Sequence, residues 1–130
     1  MKCEIYELGH FESCEFVVVL SRQDGALLLS RRRDRTTWET QGGHVEPGET
    51  TLEAARRELY EESGALEYEL TPLFDYSFGS GRGRVYAADV KRLGPLPPSE
   101  MAEVRRFDSL PAELTYPQIT PVLFSRAGIC

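Results

Sequence analysis

The apolar positions fall first into two short blocks, Phe16 to Leu20 and Ala26 to Leu29, separated by the polar stretch Arg22-Gln23-Asp24-Gly25. Such runs around an Asp-Gly pair predict two strands joined by a tight hairpin turn. The second strand runs out through Ser30-Arg31-Arg32-Arg33, where period-two alternation puts Arg31 and Arg33 on one face and Arg32 on the other. Trp38-Glu39-Thr40 is long enough for a third strand, broken by Gly42-Gly43. The period then changes. Thr50 and Glu53 have capping-box spacing, Leu52, Ala55 and Leu59 share one stripe at about 100 degrees per residue, and Gly64 supplies a stop, so a helix runs from Thr50 to near Gly64. Leu66 to Phe78 and Gly83 to Val90 read as two longer strands joined by a flexible glycine loop. The proline-rich Leu93 to Pro98 has to be irregular, and a loop carrying Glu100 and Glu103 follows it. A short strand over Val104 to Phe107 and a closing helix over Gln118 to Ala127 complete an α/β pattern without internal repeats.

Composition narrows the class. With 130 residues, 41% hydrophobic, and a net charge of -6, the chain is expected to form one domain over residues 1–130. No stretch reaches the roughly 20 apolar residues of a membrane helix, and the acid-rich start MKCEIYELGHFESCE is unlike a secretory signal, so the cytosol is the expected address. Cys3, Cys14 and Cys130 are widely spaced without a C-x-x-C pair, which argues against a disulfide framework or zinc site and for free thiols. The acidic balance argues against a stable nucleic-acid partner but leaves room for a small polyanion held by local arginines and a cation.

The helix carries the chemistry. Glu58, Glu61 and Glu62 lie on the strip beside its apolar stripe, with Glu62 nearest the buried edge. Like charges one turn apart repel, and hard oxygen donors at this spacing suit magnesium or manganese; the alternative is a solvated acidic face. Arg57, one turn from both Glu53 and Glu61, offers partial compensation.

Residues 43–65 place Gly43, then Glu49 after five residues, Arg57-Glu58-Leu59 after seven, and then Glu61-Glu62 and Gly64-Ala65, each after one. This pattern resembles the signature box of the Nudix hydrolases. The resemblance extends to Arg31 to Arg33, Trp38, Gln41-Gly42-Gly43 and the Phe107 to Pro111 stretch, with Gln41 where the family usually has proline. At the last box position, Ala65 is smaller than usual, and Leu66 is expected to take over the packing there. The resemblance implies an α/β/α sandwich with a mixed central sheet. It also implies magnesium- or manganese-dependent hydrolysis of a nucleoside diphosphate linked to another group. By that resemblance Glu58, Glu61 and Glu62 become metal ligands, the Gly42 or Gly43 carbonyl a further ligand, Arg57 their orienting partner, and Glu49 a support of the loop. Arg31 or Arg33 is expected on the phosphates, Gln41 beside the substrate, and Glu100 or Glu103 as general base or extra ligand. Base recognition would come from among Phe11, Phe74, Tyr76, Phe78, Tyr86 and Tyr116, although alternating strand positions bury many aromatics. The expected substrate is a small nucleotide, foremost a modified nucleoside triphosphate such as 8-oxo-dGTP. ADP-ribose or a nucleotide sugar, a 5′-triphosphate RNA end, and binding without catalysis stand as alternatives; monomer and homodimer both stay open.

Overall fold

The computed structural model describes residues 1–129. Along them run β1 (Cys3–Glu7), β2 (Phe16–Gln23), β3 (Ala26–Arg32), β4 (Gln41–His44), α1 (Thr51–Ser63), β5 (Ala65–Phe78), β6 (Gly81–Leu93), β7 (Met101–Phe107) and α2 (Thr120–Ala127). The strands form one sheet in the order β1-β5-β6-β2-β3-β7, with β4 pairing with β2 off this path. β2 and β6 are parallel and every other named pair is antiparallel, so the sheet is mixed.

The near-continuous apolar run of β2 reflects burial on both faces. Val17 and Val19 face one way, packing with Leu28, Tyr86, Ala88 and Val90 against Ala54, Ala55 and Leu59 of α1. Leu20 faces the other way, packing with Leu27, Leu29, Phe74 and Val85 against Leu123 and Phe124 of α2. The result is an α/β/α sandwich. The Asp24-Gly25 turn forms as expected, with φ of 51° and 83°. At the start of α1 the Thr50 hydroxyl accepts from the Glu53 amide while the Glu53 carboxylate accepts from the Thr50 amide.

Several expectations need correction. Trp38 and Glu39 make only isolated bridges, and the Gly42-Gly43 pair lies inside β4 instead of ending a strand. The β5–β6 connection tightens to Gly79-Ser80, because Gly81 and Gly83 pair within the ladder. Glu103 is on β7 and not in a loop. Leu52 is exposed, and the buried stripe of α1 is Ala54, Ala55, Leu59 and Ser63. At the helix exit Ala65 is itself buried while Leu66 is exposed, so no substitute packing residue is needed there. Cys3 and Cys14 are free thiols; Cys130 lies outside the described residues. No described helix is long and apolar enough to cross a membrane.

Candidate active site

Arg57 of α1 organises the site. Arg57 donates from Nε and Nη2 to the two carboxylate oxygens of Glu49, at 2.8 and 2.9 Å, from Nη2 to the His44 carbonyl at 3.0 Å, and from Nη1 to Glu58. Glu61 approaches the same Nη1 at 3.6 Å. This fork ties the loop before α1 to the helix, because a guanidinium can satisfy several acceptors in fixed directions. The Arg57 hydrogen bonds, with the Glu46 amide, hold the Glu49 carboxyl down at about 2. Arg57 thus pairs with Glu49 and Glu58; of the two partners expected from helical spacing, Glu61 lies within ion-pair reach and Glu53 instead caps the helix.

Glu62 is different. One oxygen of its carboxylate accepts from the Gly42 amide at 2.8 Å, yet burial pushes its pKa up to about 9, with the charge and hydrogen bond of Glu58 adding to the rise. Glu58 is raised as well, first by burial, with Arg57 working against the shift. Burial and the proximity of the two carboxyls make the pair harder to ionise fully than a free carboxyl. Gly43 lets this pair approach β4: a Cβ there would stand 2.9 Å from the Glu58 carboxyl.

The expected convergence of three carboxylates is only partly realised. Glu58 and Glu62 meet, while Glu61 remains on the solvent side with its side chain 48% exposed. Among the described residues no three histidine, cysteine, aspartate or glutamate side chains are gathered into a ready-made metal site. The donor chemistry nevertheless fits a hard divalent cation: two desolvated, mutually repelling carboxyls beside glycine backbone are stabilised by added positive charge.

A cleft of about 430 Å³ opens on the other side of Gly42 and Gly43, lined among others by Phe16, Glu39, Tyr76, Phe78, Tyr116 and Leu123. Of the aromatics considered from sequence, Tyr76, Phe78 and Tyr116 line this cleft, whereas Phe74 and Tyr86 belong to the core. Glu39 is the residue that sequence reasoning overlooked. It is buried, its carboxyl is raised by that burial against the opposing pull of Thr115 and Arg35, and its charge is felt by Glu62. Nothing in the local sequence marks it, since its placement depends on the bridge between Glu39 and Ser30 of β3.

The remaining candidates lie apart from the helix carboxylates. Arg31 pairs with Glu103 at 3.4 Å, donates to the Arg35 carbonyl and lies over Trp38. Arg33 is exposed in the turn after β3, and with Arg31 it lines an open hollow with Leu96, Pro97 and Pro98 that shares no lining residue with the cleft. Glu103 is paired opposite Arg31 and also binds Arg105, while the neighbouring Ser30 and Val104 face α1. By strand alternation Glu103 therefore points away from α1. Glu100 instead meets Arg32 at 2.6 Å, beyond the register shift between β3 and β7. Gln41, expected beside the substrate, is fully buried and hydrogen-bonded to Ser21, Leu28 and Ser30.

The fold is an α/β/α sandwich in which helix carboxylates meet a glycine strand beside an aromatic cleft. Residues 15–122 match the NUDIX domain, and the chain belongs to the Nudix family. It is 47% identical over 49 residues to a Bacillus subtilis protein provisionally named 8-oxo-dGTP diphosphatase, covering 38% of this chain and 32% of that one. It is 43% identical over 54 residues to an RNA pyrophosphohydrolase of Francisella philomiragia, covering 42% and 34%. The chain thus spans about a third of the length of these two curated relatives. The fold is similar to the crystal structure of a Bacillus subtilis pyrophosphohydrolase, with a TM-score of 0.79 at 26% identity over 97% of this chain and 89% of that one.

Proposed function

We propose that this Nudix domain is a divalent-metal-dependent pyrophosphohydrolase of the cytosol. Its proposed substrate is a modified nucleoside triphosphate of the 8-oxo-dGTP kind, cleaved to the monophosphate and pyrophosphate. The observation that carries the activity is the pair Glu58 and Glu62, half-buried against Gly42 and Gly43, with both carboxyls raised by desolvation. Glu58, Glu62 and Glu61, with the Gly43 carbonyl, would hold magnesium or manganese. A bound cation supplies charge neutralisation at the pyrophosphate and acidifies water there. Arg57 keeps Glu58 aimed by gripping it together with Glu49. Positive charge at this site would favour the ionised form of both Glu58 and Glu62, against the upward shift that burial imposes. Glu100, paired with Arg32, is the better candidate for the base than Glu103, which is held by both Arg31 and Arg105. The aromatic cleft beside Gly42 and Gly43 suits a purine, which stacks on such rings. The widely spaced cysteines support a reducing compartment.

The likeness to pyrophosphohydrolases in both comparisons supports a second reading, in which the cleft takes the first nucleoside of a 5′-triphosphate RNA. A panel of 8-oxo-dGTP, ordinary nucleoside triphosphates, ADP-ribose, nucleotide sugars and 5′-triphosphate RNA, assayed with magnesium, manganese or EDTA, separates them. Pyrophosphate release from 8-oxo-dGTP, abolished by EDTA and reduced more by Glu100→Gln than by Glu103→Gln, is expected. Turnover of RNA alone moves the assignment to the second reading. Tight nucleotide binding without turnover of any compound overturns the enzyme.

A further inference from the structure

Glu62 is held at two atoms, and only one of them is its carboxylate. Its backbone carbonyl accepts from the Ser30 hydroxyl of β3 at 2.8 Å. That carbonyl is in the last turn of α1, where no intrahelical donor remains. Ser30 Oγ in turn accepts from Gln41 Nε2 at 2.9 Å, and the same nitrogen donates to the Leu28 carbonyl at 3.3 Å. At the far end the Ser21 hydroxyl donates to Gln41 Oε1 at 2.7 Å. Ser21, Ser30 and Gln41 are all fully buried.

The direction of this chain is forced. A carbonyl only accepts, so Ser30 has to donate to Glu62; its lone pair then needs a donor, which turns the amide nitrogen of Gln41 toward it and leaves Oε1 for Ser21. A glutamine supplies a donor and an acceptor at these two places. A proline supplies neither, and a carboxylate lacks the donor.

We propose that Gln41 is a positioning residue for the metal-binding carboxylates, acting through Ser30 on the end of α1. The chain joins β2, β3 and β4 to the helix turn that carries Glu62, and the next residue, Gly42, donates to the Glu62 carboxylate itself. Helix rotation and side-chain direction are therefore fixed from one strand. Residues that orient ligands in this way are commonly worth about tenfold or more in metal affinity. The inference rests on the reading that Glu58 and Glu62 hold the cation.

The test is the dissociation constant of manganese alone, measured by titration calorimetry alongside thermal melting, for the whole protein and its variants. Gln41→Met and Ser30→Ala are each expected to raise the constant roughly tenfold. The double variant should be little worse than either single one, because both break the same chain. Ser21→Ala, which leaves the Ser30 bond to Glu62 intact, should raise it less and serves if the other variants fail to fold. Ser63→Ala removes another buried hydroxyl from the same helix end, one bonded to the Leu59 carbonyl, and should lower the melting temperature without changing manganese affinity. Unchanged affinity in Gln41→Met and Ser30→Ala, while Glu62→Gln loses binding, overturns the proposal alone. An equal loss in Ser63→Ala also overturns it, by showing general loosening of the helix. Unchanged affinity in Glu62→Gln overturns the metal reading beneath it.

Discussion

Glu62 concentrates the opposing demands on this site. Its burial stabilises the protonated form, so its folded pKa, about 9, lies above the ordinary value of 4.5. An acid shifted upward contributes stability that is fully present below its unfolded pKa and is lost as pH rises through the folded one. Metal-free protein is therefore expected to melt at progressively lower temperature as pH is raised from about 4.5 to about 9, in EDTA buffers. Glu62→Gln should flatten this profile while removing most metal-dependent activity. A mutant profile as steep as the original would contradict the assignment of the buried proton. Glu49 has the opposite environment, on Arg57, and stays ionised. Both acids are visible in the sequence, but the difference in their roles is not: Glu49 faces a guanidinium fork and Glu62 faces another carboxyl.

At the scale of elements, β4 and α1 form the working unit. Two glycines in succession leave no room for side chains on β4, for different reasons. A Cβ on Gly42 would meet the Val17 carbonyl oxygen at 2.3 Å, in a backbone with φ of +152°, so side chains are excluded by the sheet itself. On Gly43 the obstruction is the Glu58 carboxyl, the movable end of a side chain. Gly43→Ala is thus expected to fold, with a melting temperature near that of the parent, but to bind manganese more weakly because Glu58 is pushed aside. Strong unfolding in Gly43→Ala, or unaltered manganese binding, would refute this division. The helix was legible from its cap, stripe and terminal glycine, all local features. The strand β1 was not: its CEIYE carries acids at a sheet edge, and only pairing with β5 makes it a strand.

Across the whole molecule, the sheet separates two jobs. The α1 face carries the carboxylates, while the opposite face packs α2 and borders the aromatic cleft, lined in part by Thr120 and Leu123. Phe124→Ala in that second layer should cost about 3–5 kcal/mol by denaturant unfolding, as for other buried aromatics. Manganese affinity should stay nearly constant, since α2 does not touch α1 carboxylates. A parallel fall in manganese affinity would mean that the layers are coupled.

The sequence by itself determined the Asp-Gly hairpin, the capped acidic helix and the family to which its box belongs, because each rests on residues close together in the chain. Tertiary structure decided what those residues face. Glu103 and Glu100 looked equivalent until the pairing of β3 with β7 turned Glu103 toward Arg31 and away from α1. Gln41 was expected beside the substrate, and the pairing of β4 with β2 buries it between Ser21 and Ser30. In both cases the cause is the same: a strand residue has two faces to choose from, and the choice is made by register with partners far away in sequence.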